Sequence, residues 1–273
     1  MNARRKLFFF GKGGVAPAPG VDPDAAAYIA RVEDADGQAL EPAIKTAIND
    51  FVLGVKADGD WDALKASCIL AGARTLNGAL EPLTGTAPTN FNFVSDDYNR
   101  KTGLKGDGGT KYLDSNRANT DDPQNNAHLS ANLTAVPSFT TNRFHIGAIS
   151  TGDFPDYDLS EIGYGVSPDR NLFRLRNGTP VFAGNRNHTG ILGVSRSSPS
   201  SASARSLGVT NTATNESFEP STRNYFVFAR NIGEASIHSD ARLSFYSIGE
   251  SIDLAALDTR VSSLMTAIDG AIA

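Results

Sequence analysis

The sequence predicts a mainly β protein: an antiparallel, jelly-roll-like β-sandwich with an N-terminal helical lead-in and a short C-terminal helix. Between residues 127 and 248, apolar and polar side chains alternate in several short runs. This period of two is typical of half-buried antiparallel strands. Helical spacing occurs only before residue 66 and after residue 253. Because no helical pattern separates the strands, a parallel α/β sheet is not expected.

The lead-in contains two predicted helices and the start of a third. The first begins with Asp22 as N-cap and Pro23 in the first turn. The second covers about residues 41–55, and a third is predicted to begin at Trp61. The apolar residues of the second recur at spacings of three and four, namely Ile44, Ala47, Ile48, Phe51, Val52 and Val55. We expect this apolar face to lie on the sandwich.

The chain turns from helix into sheet in a glycine-rich stretch. Four glycines lie within seven positions, at residues 103, 106, 108 and 109. They exclude a helix and permit the positive φ of a tight turn. Leu104 precedes this turn and Tyr112-Leu113 follows it, so the first sandwich strands are expected here.

Seven strands are predicted after it, at residues 127–134, 144–150, 159–166, 172–176, 190–194, 225–229 and 243–248. Asn177-Gly178 predicts a tight hairpin turn. In the last strand, Leu243 and Phe245 are predicted to face the core and Tyr246 to face outward. Residues 195–204, of which six are serine, are predicted to form a surface loop.

Three motifs carry a resemblance to a known family. Gly103-Leu-Lys-Gly-Asp-Gly-Gly-Thr-Lys-Tyr-Leu113 resembles the first sandwich strand of a module in tailed-phage virion proteins, which is similar to concanavalin A-like or laminin-G-like jelly rolls. Ala47-Ile-Asn-Asp-Phe-Val-Leu-Gly-Val-Lys-Ala-Asp-Gly-Asp-Trp-Asp-Ala-Leu-Lys-Ala66 is similar to the helical lead-in of such proteins, and residues 254–268 resemble their closing helix. The resemblance spans roughly residues 20–270, without any long motif.

Four segments follow from these patterns: an anchor peptide and linker at 1–20, the helical lead-in at 21–84, the sandwich at 85–250 and the C-terminal helix at 251–273. The first segment joins basic and apolar side chains to a Gly/Pro-rich tether. Its predicted partner-binding residues are Arg4, Arg5, Leu7, Phe8, Phe9 and Phe10. Large apolar rings concentrate binding energy when a partner buries them.

Composition and motifs exclude several classes of function. The net charge of −5 argues against nucleic-acid binding. No apolar run approaches the roughly 20 residues of a membrane span. The four histidines lack companions at metal-binding spacing, so neither a metal nor another cofactor is expected.

No catalytic residue is predicted, and the chain is expected not to be an enzyme. Glycoside hydrolysis is the weakest alternative, because it needs two carboxylates held roughly 5–10 Å apart. Asp156 and Asp158 point the same way on an extended segment, but Pro155 and the acidic density favour a solvated loop.

The resemblance implies a non-enzymatic virion structural protein displayed on the tail or capsid, as a fibre, tip or decoration component. Its expected location is the virion, assembled in the host cytoplasm, and its expected partners are other virion proteins. The alternative is a carbohydrate- or receptor-binding module for attachment to a host glycan. The loop residues suited to sugar hydroxyls are Arg117, Asn119, Asn185, Arg186, Asn187 and His188.

The C-terminal helix leaves the oligomeric state open. Its apolar residues alternate by three and four, as in a coiled-coil seam: Leu254, Leu257, Val261, Leu264 and Ile268. Two heptads are short for an independent coil, so packing within the subunit is favoured over a homotrimer.

Overall fold

Two sheets pack face to face in the computed structural model, which describes residues 20–150, 158–166 and 169–273. The predicted fold class, a mainly antiparallel β-sandwich with helices at both ends of the chain, is confirmed. The helices of the described residues are α1 (Pro23–Asp36), α2 (Pro42–Asp58), α3 (Leu76–Ala79) and α4 (Leu254–Ala271). The domain boundaries drawn above stay predictions.

The strands are numbered in chain order. The first nine are β1 (Leu64–Ile69), β2 (Thr89–Phe91), β3 (Tyr98–Asn99), β4 (Gly103–Lys105), β5 (Tyr112–Ala118), β6 (Ala127–Ala135), β7 (Arg143–Ile149), β8 (Leu159–Val166) and β9 (Asp169–Arg174). The others are β10 (Val181–Phe182), β11 (Gly190–Ser198), β12 (Ser201–Ser206), β13 (Val209–Thr214), β14 (Asn224–Val227), β15 (Arg230–Asn231), β16 (Ala235–Ser236) and β17 (Arg242–Gly249).

The first sheet has the order β13-β12-β11-β6-β17-β4-β3, and β1 also pairs with β17. The second has the order β10-β9-β8-β7-β14-β5-β2, and the short pair β15-β16 joins it through β7. The neighbours β6 and β17 come from distant parts of the sequence, so the sandwich closes only when the last strand is in place.

The helix ends follow local chemistry. The Asp22 side chain accepts a hydrogen bond from the backbone N–H of Asp24 at 2.9 Å, as predicted for the N-cap of α1. Gly37 and Gly59 follow α1 and α2 with φ of 63° and 83°, a left-handed conformation that glycine adopts without strain.

Two apolar cores share the first sheet. One lies between the sheets and includes Leu129, Ile146 and Phe173. The other lies between the outer face of the first sheet and helices α2 and α4, where the rings of Phe51 and Phe245 meet edge to face at 5.7 Å. The helical face therefore packs on the sandwich, as expected.

The predicted alternation in the last strand is wrong after Leu243. Leu243 and Tyr246 lie in the core between the sheets, whereas Phe245 faces the helices. The register of β17 against β6 shifts between Leu243 and Phe245. Such a bulge adds one residue and moves the following side chains to the other face.

Three further local predictions are wrong. Trp61–Ala63 is one 3₁₀ turn followed directly by β1, not the start of a longer helix. Residues 195–198 end β11 and residues 201–204 begin β12, with a two-residue turn between them. The buried Arg196 guanidinium fixes this turn, because it donates to the backbone carbonyls of Leu175, Ser198 and Ser201. The hairpin between β9 and β10 has a six-residue loop whose positive φ, 59°, is at Arg176.

Helix α4 packs within its own subunit. It contacts α2 and β11, and its five apolar seam residues are buried there. An N-cap at Asp253, which accepts from the N–H of Ala255 at 2.7 Å, fixes its start. This arrangement favours the intramolecular alternative over the trimer seam.

Because Phe51 packs on Phe245, Phe51→Ala should destabilise helices and sandwich together. Truncating a buried phenylalanine costs about 3–5 kcal/mol, so we expect one cooperative thermal transition at a lower Tm. The control is Leu53→Ala on the same helix, where the side chain is 44% exposed. Circular dichroism in the far and near ultraviolet measures both variants, and two separate transitions would show independent units.

Candidate functional site

The predicted anchor residues, Arg4, Arg5, Leu7, Phe8, Phe9 and Phe10, lie outside the described residues. The predicted glycan-contacting residues lie within them and form two separate groups. Asn119 is fully buried: its amide donates to Asp158 and its carbonyl accepts from the Tyr225 hydroxyl. The Arg117 guanidinium is held by Asp122 through Nε at 3.0 Å and Nη2 at 2.5 Å.

The second group follows β10. Asn185 and Asn187 are exposed, and Arg186 lies over the Phe139 ring at 4.6 Å while donating to the Tyr164 hydroxyl. His188 Nε2 is 2.9 Å from Ser206 Oγ.

The two groups do not form one site. Asn119 contacts Asp158, just before β8, whereas Arg186 contacts Tyr164 six residues further along that strand. At about 3.3 Å per strand residue these points are roughly 20 Å apart.

Asp158, one of the two carboxylates weighed for glycoside hydrolysis, lies in a buried polar network. It accepts from Ser160 Oγ at 2.7 Å and from the backbone N–H of Ser221 at 3.1 Å. Burial raises its pKa to about 6. Asp156 lies outside the described residues, so the structure does not test that pair.

A cleft of about 550 Å³ opens at one end of the first sheet. We call it the end cleft, and its lining residues are Asp97, Lys105, Gly106, Asp107, Ala135, Val136, Ser138 and Asp240. Lys105 and Ala135 flank Arg242 on its two sides, because β4 and β6 both pair with β17 at that residue. The adjoining turns then supply the remaining side chains.

Asp107 is fixed by the glycine-rich turn that the sequence indicated. Its Oδ1 accepts from the backbone N–H groups of Gly109, Thr110 and Lys111 at 2.8, 2.8 and 3.0 Å. Although burial alone would raise the pKa of Asp107, the hydrogen bonds from Thr110 and these amides outweigh it and hold the pKa well below its usual range. The carboxylate therefore stays ionised and in place.

Arg143 ties three walls of the end cleft together. Its Nη1 donates to the carbonyls of Gly108 at 3.1 Å and His238 at 3.2 Å, and its Nη2 donates to Ser138 Oγ at 3.0 Å. Its Nε lies 3.4 Å from Asp240 Oδ1, an ion pair rather than a hydrogen bond. One guanidinium thus fixes the glycine-rich turn, the β6–β7 connection and the segment before β17.

His145 lies behind that wall. It is buried, and its Nδ1 is 2.9 Å from Ser239 Oγ, which also accepts from the N–H of Ala241 at 3.1 Å. The carbonyl of Ala241 in turn accepts from the N–H of Gly106 at 3.0 Å. Burial lowers the pKa of His145 to about 4, so the ring is neutral at pH 7.

An aromatic strip, formed by Phe91, Tyr112 and Phe226, runs beside the end cleft. Phe91 and Tyr112 are parallel with centroids 4.4 Å apart, and Phe226 follows at 4.7 Å from Tyr112. Neighbouring strands lie about 4.8 Å apart, so the rings stack on one another, with Phe226 buried and Tyr112 half-buried. Phe91, on the edge strand β2, is 37% exposed. Lys111, next to Tyr112, joins strip and cleft through Asp97 at 2.5 Å.

A second cleft, of about 540 Å³, lies at the helical side and includes Trp61, Asp62 and Lys56. The Lys56 ammonium lies 5.3 Å from the Trp61 ring centroid and is paired with Asp22 at 2.7 Å and Asp24 at 2.6 Å. The chain's own cation thus lies over one face of the Trp61 ring.

The described residues contain no group of three His, Cys, Asp or Glu side chains placed to hold a metal ion. None of the described helices is long and apolar enough to cross a membrane.

No protein-family model matches the chain, and no curated protein sequence matches it. Solved structures do. A mutant of Trypanosoma rangeli sialidase that displays trans-sialidase activity has a TM-score of 0.51 at 12% identity, covering 81% of this chain and 39% of that one. The same organism's sialidase in complex with 2,3-difluoro-KDN has a TM-score of 0.48 at 12% identity, covering 75% and 33%.

The CBM40 of the Ruminococcus gnavus IT-sialidase, bound to α2,3-sialyllactose, has a TM-score of 0.37 at 8% identity, covering 50% of this chain and 82% of that one. This score carries no conclusion. The chain spans about two fifths of the sialidase mutant, at 39% coverage, and at 12% identity the likeness establishes the fold alone.

These comparisons contradict two predictions made from the sequence. The neighbour that has a TM-score of 0.51 is a sialidase mutant, and none of the neighbours described above links the chain to tailed phages, so the interpretation as a virion structural protein is wrong. Because sialidases are glycoside hydrolases, the prediction that the chain is not an enzyme is contradicted as well. The expected virion partners lose their support together with the interpretation as a virion structural protein. The virion location stays a prediction.

The buried His145 gives stability a predictable pH dependence. Its folded pKa of about 4 lies below its ordinary 6.5, so only the unfolded chain takes up its proton between these values. The free energy of unfolding should therefore decrease as the pH falls from 6.5 to about 4. Between pH 7 and pH 5, the free energy of unfolding of His145→Phe should decrease by about 2 kcal/mol less than that of the wild type, since each pKa unit is worth about 1.4 kcal/mol.

Urea denaturation at several pH values measures this difference. His128, whose pKa burial also lowers to about 4, and Asp158, whose raised pKa acts in the opposite sense, are present in both proteins and cancel in the comparison. Parallel stability curves for the two proteins would contradict the prediction.

Proposed function

We propose that this chain is a carbohydrate-binding module and that its ligand occupies the end cleft. The volume of about 550 Å³ falls within the roughly 300–1,000 Å³ of small-molecule sites. The lining offers carboxylates, the Ser138 hydroxyl and the Lys105 ammonium, which are partners for sugar hydroxyls.

The observation that carries the proposal is the fixed position of these groups. Arg143 holds Ser138 and Asp240, the glycine-rich turn holds Asp107, and Lys111 holds Asp97. A site whose polar groups are ordered before binding loses less entropy when the ligand arrives. The partly exposed Phe91 ring, on the adjoining aromatic strip, offers apolar surface for a sugar ring.

The likeness to part of a sialidase supports this proposal at the level of fold, because proteins that act on sialosides contain a similar arrangement of strands. Helices α2 and α4 cover the central strands of the first sheet, so its exposed edge strand β13, the outer face of the second sheet and the ends of the sandwich are the surfaces left for a ligand.

Ala135→Trp should abolish glycan binding, because Ala135 is exposed at the end of β6 and lines the end cleft. The indole would fill the cleft without removing a charge. Ala43→Trp, at an exposed position of α2, is the matched control and should bind as the wild type does. A glycan array identifies the ligand, and isothermal titration calorimetry then measures both variants, with an expected loss for Ala135→Trp of more than tenfold.

Binding that survives Ala135→Trp would exclude the end cleft. Asp62→Ala then tests the second cleft, at Trp61, as the place of binding.

Glycoside hydrolysis at the end cleft is the second candidate, favoured by the three carboxylates that share it. Asp107, with its lowered pKa, suits a stabilising carboxylate rather than a general acid. Turnover of fluorogenic glycosides that disappears in both Asp97→Asn and Asp240→Asn, while binding persists, would assign hydrolysis to the cleft.

A further inference from the structure

We infer that β13, the edge strand of the first sheet, is a dimerisation surface that pairs antiparallel with the β13 of a second copy of this chain. β13 ends the first sheet, and among the described residues no strand pairs with its outer side. Five of its six residues are exposed.

The hairpin between β12 and β13 determines which backbone groups of β13 point away from the sheet. Its turn consists of Leu207 and Gly208, whose φ angles of 55° and 70° are both positive, as in a type I′ turn. Such a turn makes its flanking residues, Ser206 and Val209, a hydrogen-bonded pair, and hydrogen-bonded pairs alternate with non-bonded pairs along the hairpin. The N–H and C=O groups that point outward are therefore those of Thr210, Thr212 and Thr214.

β13 has none of the features that usually keep an exposed edge from pairing. Natural edge strands carry a charged side chain, a proline or a bulge. The sequence of β13, Val-Thr-Asn-Thr-Ala-Thr, contains neither a charge nor a proline, and its register against β12 is regular. The strand is also held in place, because Asn211 Nδ2 donates to the backbone carbonyl of Phe182 on β10 at 3.0 Å. It is therefore an ordered template for a further strand.

The threonines indicate which strand fits this edge. A two-fold axis at Thr212 places Thr212 opposite Thr212 of the second copy, and Thr210 opposite Thr214 of the second copy. Each of these pairs exchanges two backbone hydrogen bonds, so every outward N–H and C=O group finds a partner. Pairs of threonines on neighbouring strands are favourable as well. β13 is thus complementary to itself, as a two-fold dimer interface requires.

The same pairing covers exposed apolar surface. Val209 is 53% exposed. In the antiparallel register about Thr212, Val209 lies opposite Asn215 of the second copy, the residue that follows β13. Dimerisation therefore removes part of an exposed valine from water, which adds a hydrophobic contribution to the hydrogen bonds.

Sedimentation equilibrium over a range of protein concentrations tests the dimer. We expect the wild type to form dimers and Thr212→Lys to dimerise at least tenfold more weakly, because two ammonium groups then face each other across the axis. Thr212 is exposed, so the single chain should keep its fold, which circular dichroism checks. Thr46→Lys, at an exposed position of α2, is the matched control and should dimerise as the wild type does.

Thr212→Glu tests the position of the axis. Alone, this variant should dimerise as weakly as Thr212→Lys. An equimolar mixture of the two variants should form a heterodimer at low salt, because opposite charges then meet across the axis. A mixture that stays monomeric would overturn the pairing about Thr212.

Two results of the sedimentation experiment would overturn the inference: a wild type that stays monomeric at every concentration, and a dimer that Thr212→Lys does not weaken. Amide hydrogen exchange of the full chain then distinguishes a second copy from another segment of the same chain as the occupant of the edge. Protection of residues 210, 212 and 214 should rise with protein concentration. Protection that does not depend on concentration would show that the same chain covers β13, and would contradict the dimer.

Discussion

The central strands β6 and β17 of the first sheet are buried on both faces, and the rest of the structure depends on this constraint. Its strand β17 contributes Leu243 and Tyr246 to the core between the sheets and Phe245 to the core under the helices. A ligand cannot reach either face of these two strands, because packed side chains cover both. The exposed edge strand β13, the ends of the sandwich and the second sheet remain accessible.

At one end of the sandwich, a single guanidinium holds three connecting segments together. Arg143 begins β7, yet its hydrogen bonds reach the turn before β5, the connection after β6 and the segment before β17. Connecting segments are normally the most mobile parts of a domain. Here they share one cation, and His145 braces the same segment from inside through Ser239. The end cleft is therefore organised by β7, although β7 contributes no lining residue.

The sequence indicated the strands well where alternation and burial coincide. The segment 159–166 was predicted with the bounds that β8 has, and within it Ile162, Tyr164 and Val166 alternate with two glycines. Prediction from the sequence failed where contacts between distant residues determine the local structure. The serine-rich segment 195–204 forms strands because the buried Arg196 satisfies backbone carbonyls there, and the inward turn of Tyr246 depends on a bulge. Neither a distant hydrogen bond nor a register shift leaves a local pattern.

The end cleft was harder still to predict from the sequence. Its residues come from positions 97, 105–107, 135–138 and 240, which local patterns do not connect. The sequence did mark the glycine-rich turn, but as the start of a strand rather than as a support for Asp107. The sequence pointed instead to polar loops as sugar-binding residues. Asn119 shows why polarity alone is ambiguous, because an amide that suits a sugar hydroxyl also suits a buried hydrogen-bond network. The three carboxylates of the end cleft, Asp97, Asp107 and Asp240, come from three separate segments of the chain. Only the fold brings them together, so no local pattern could have indicated that they share one cleft.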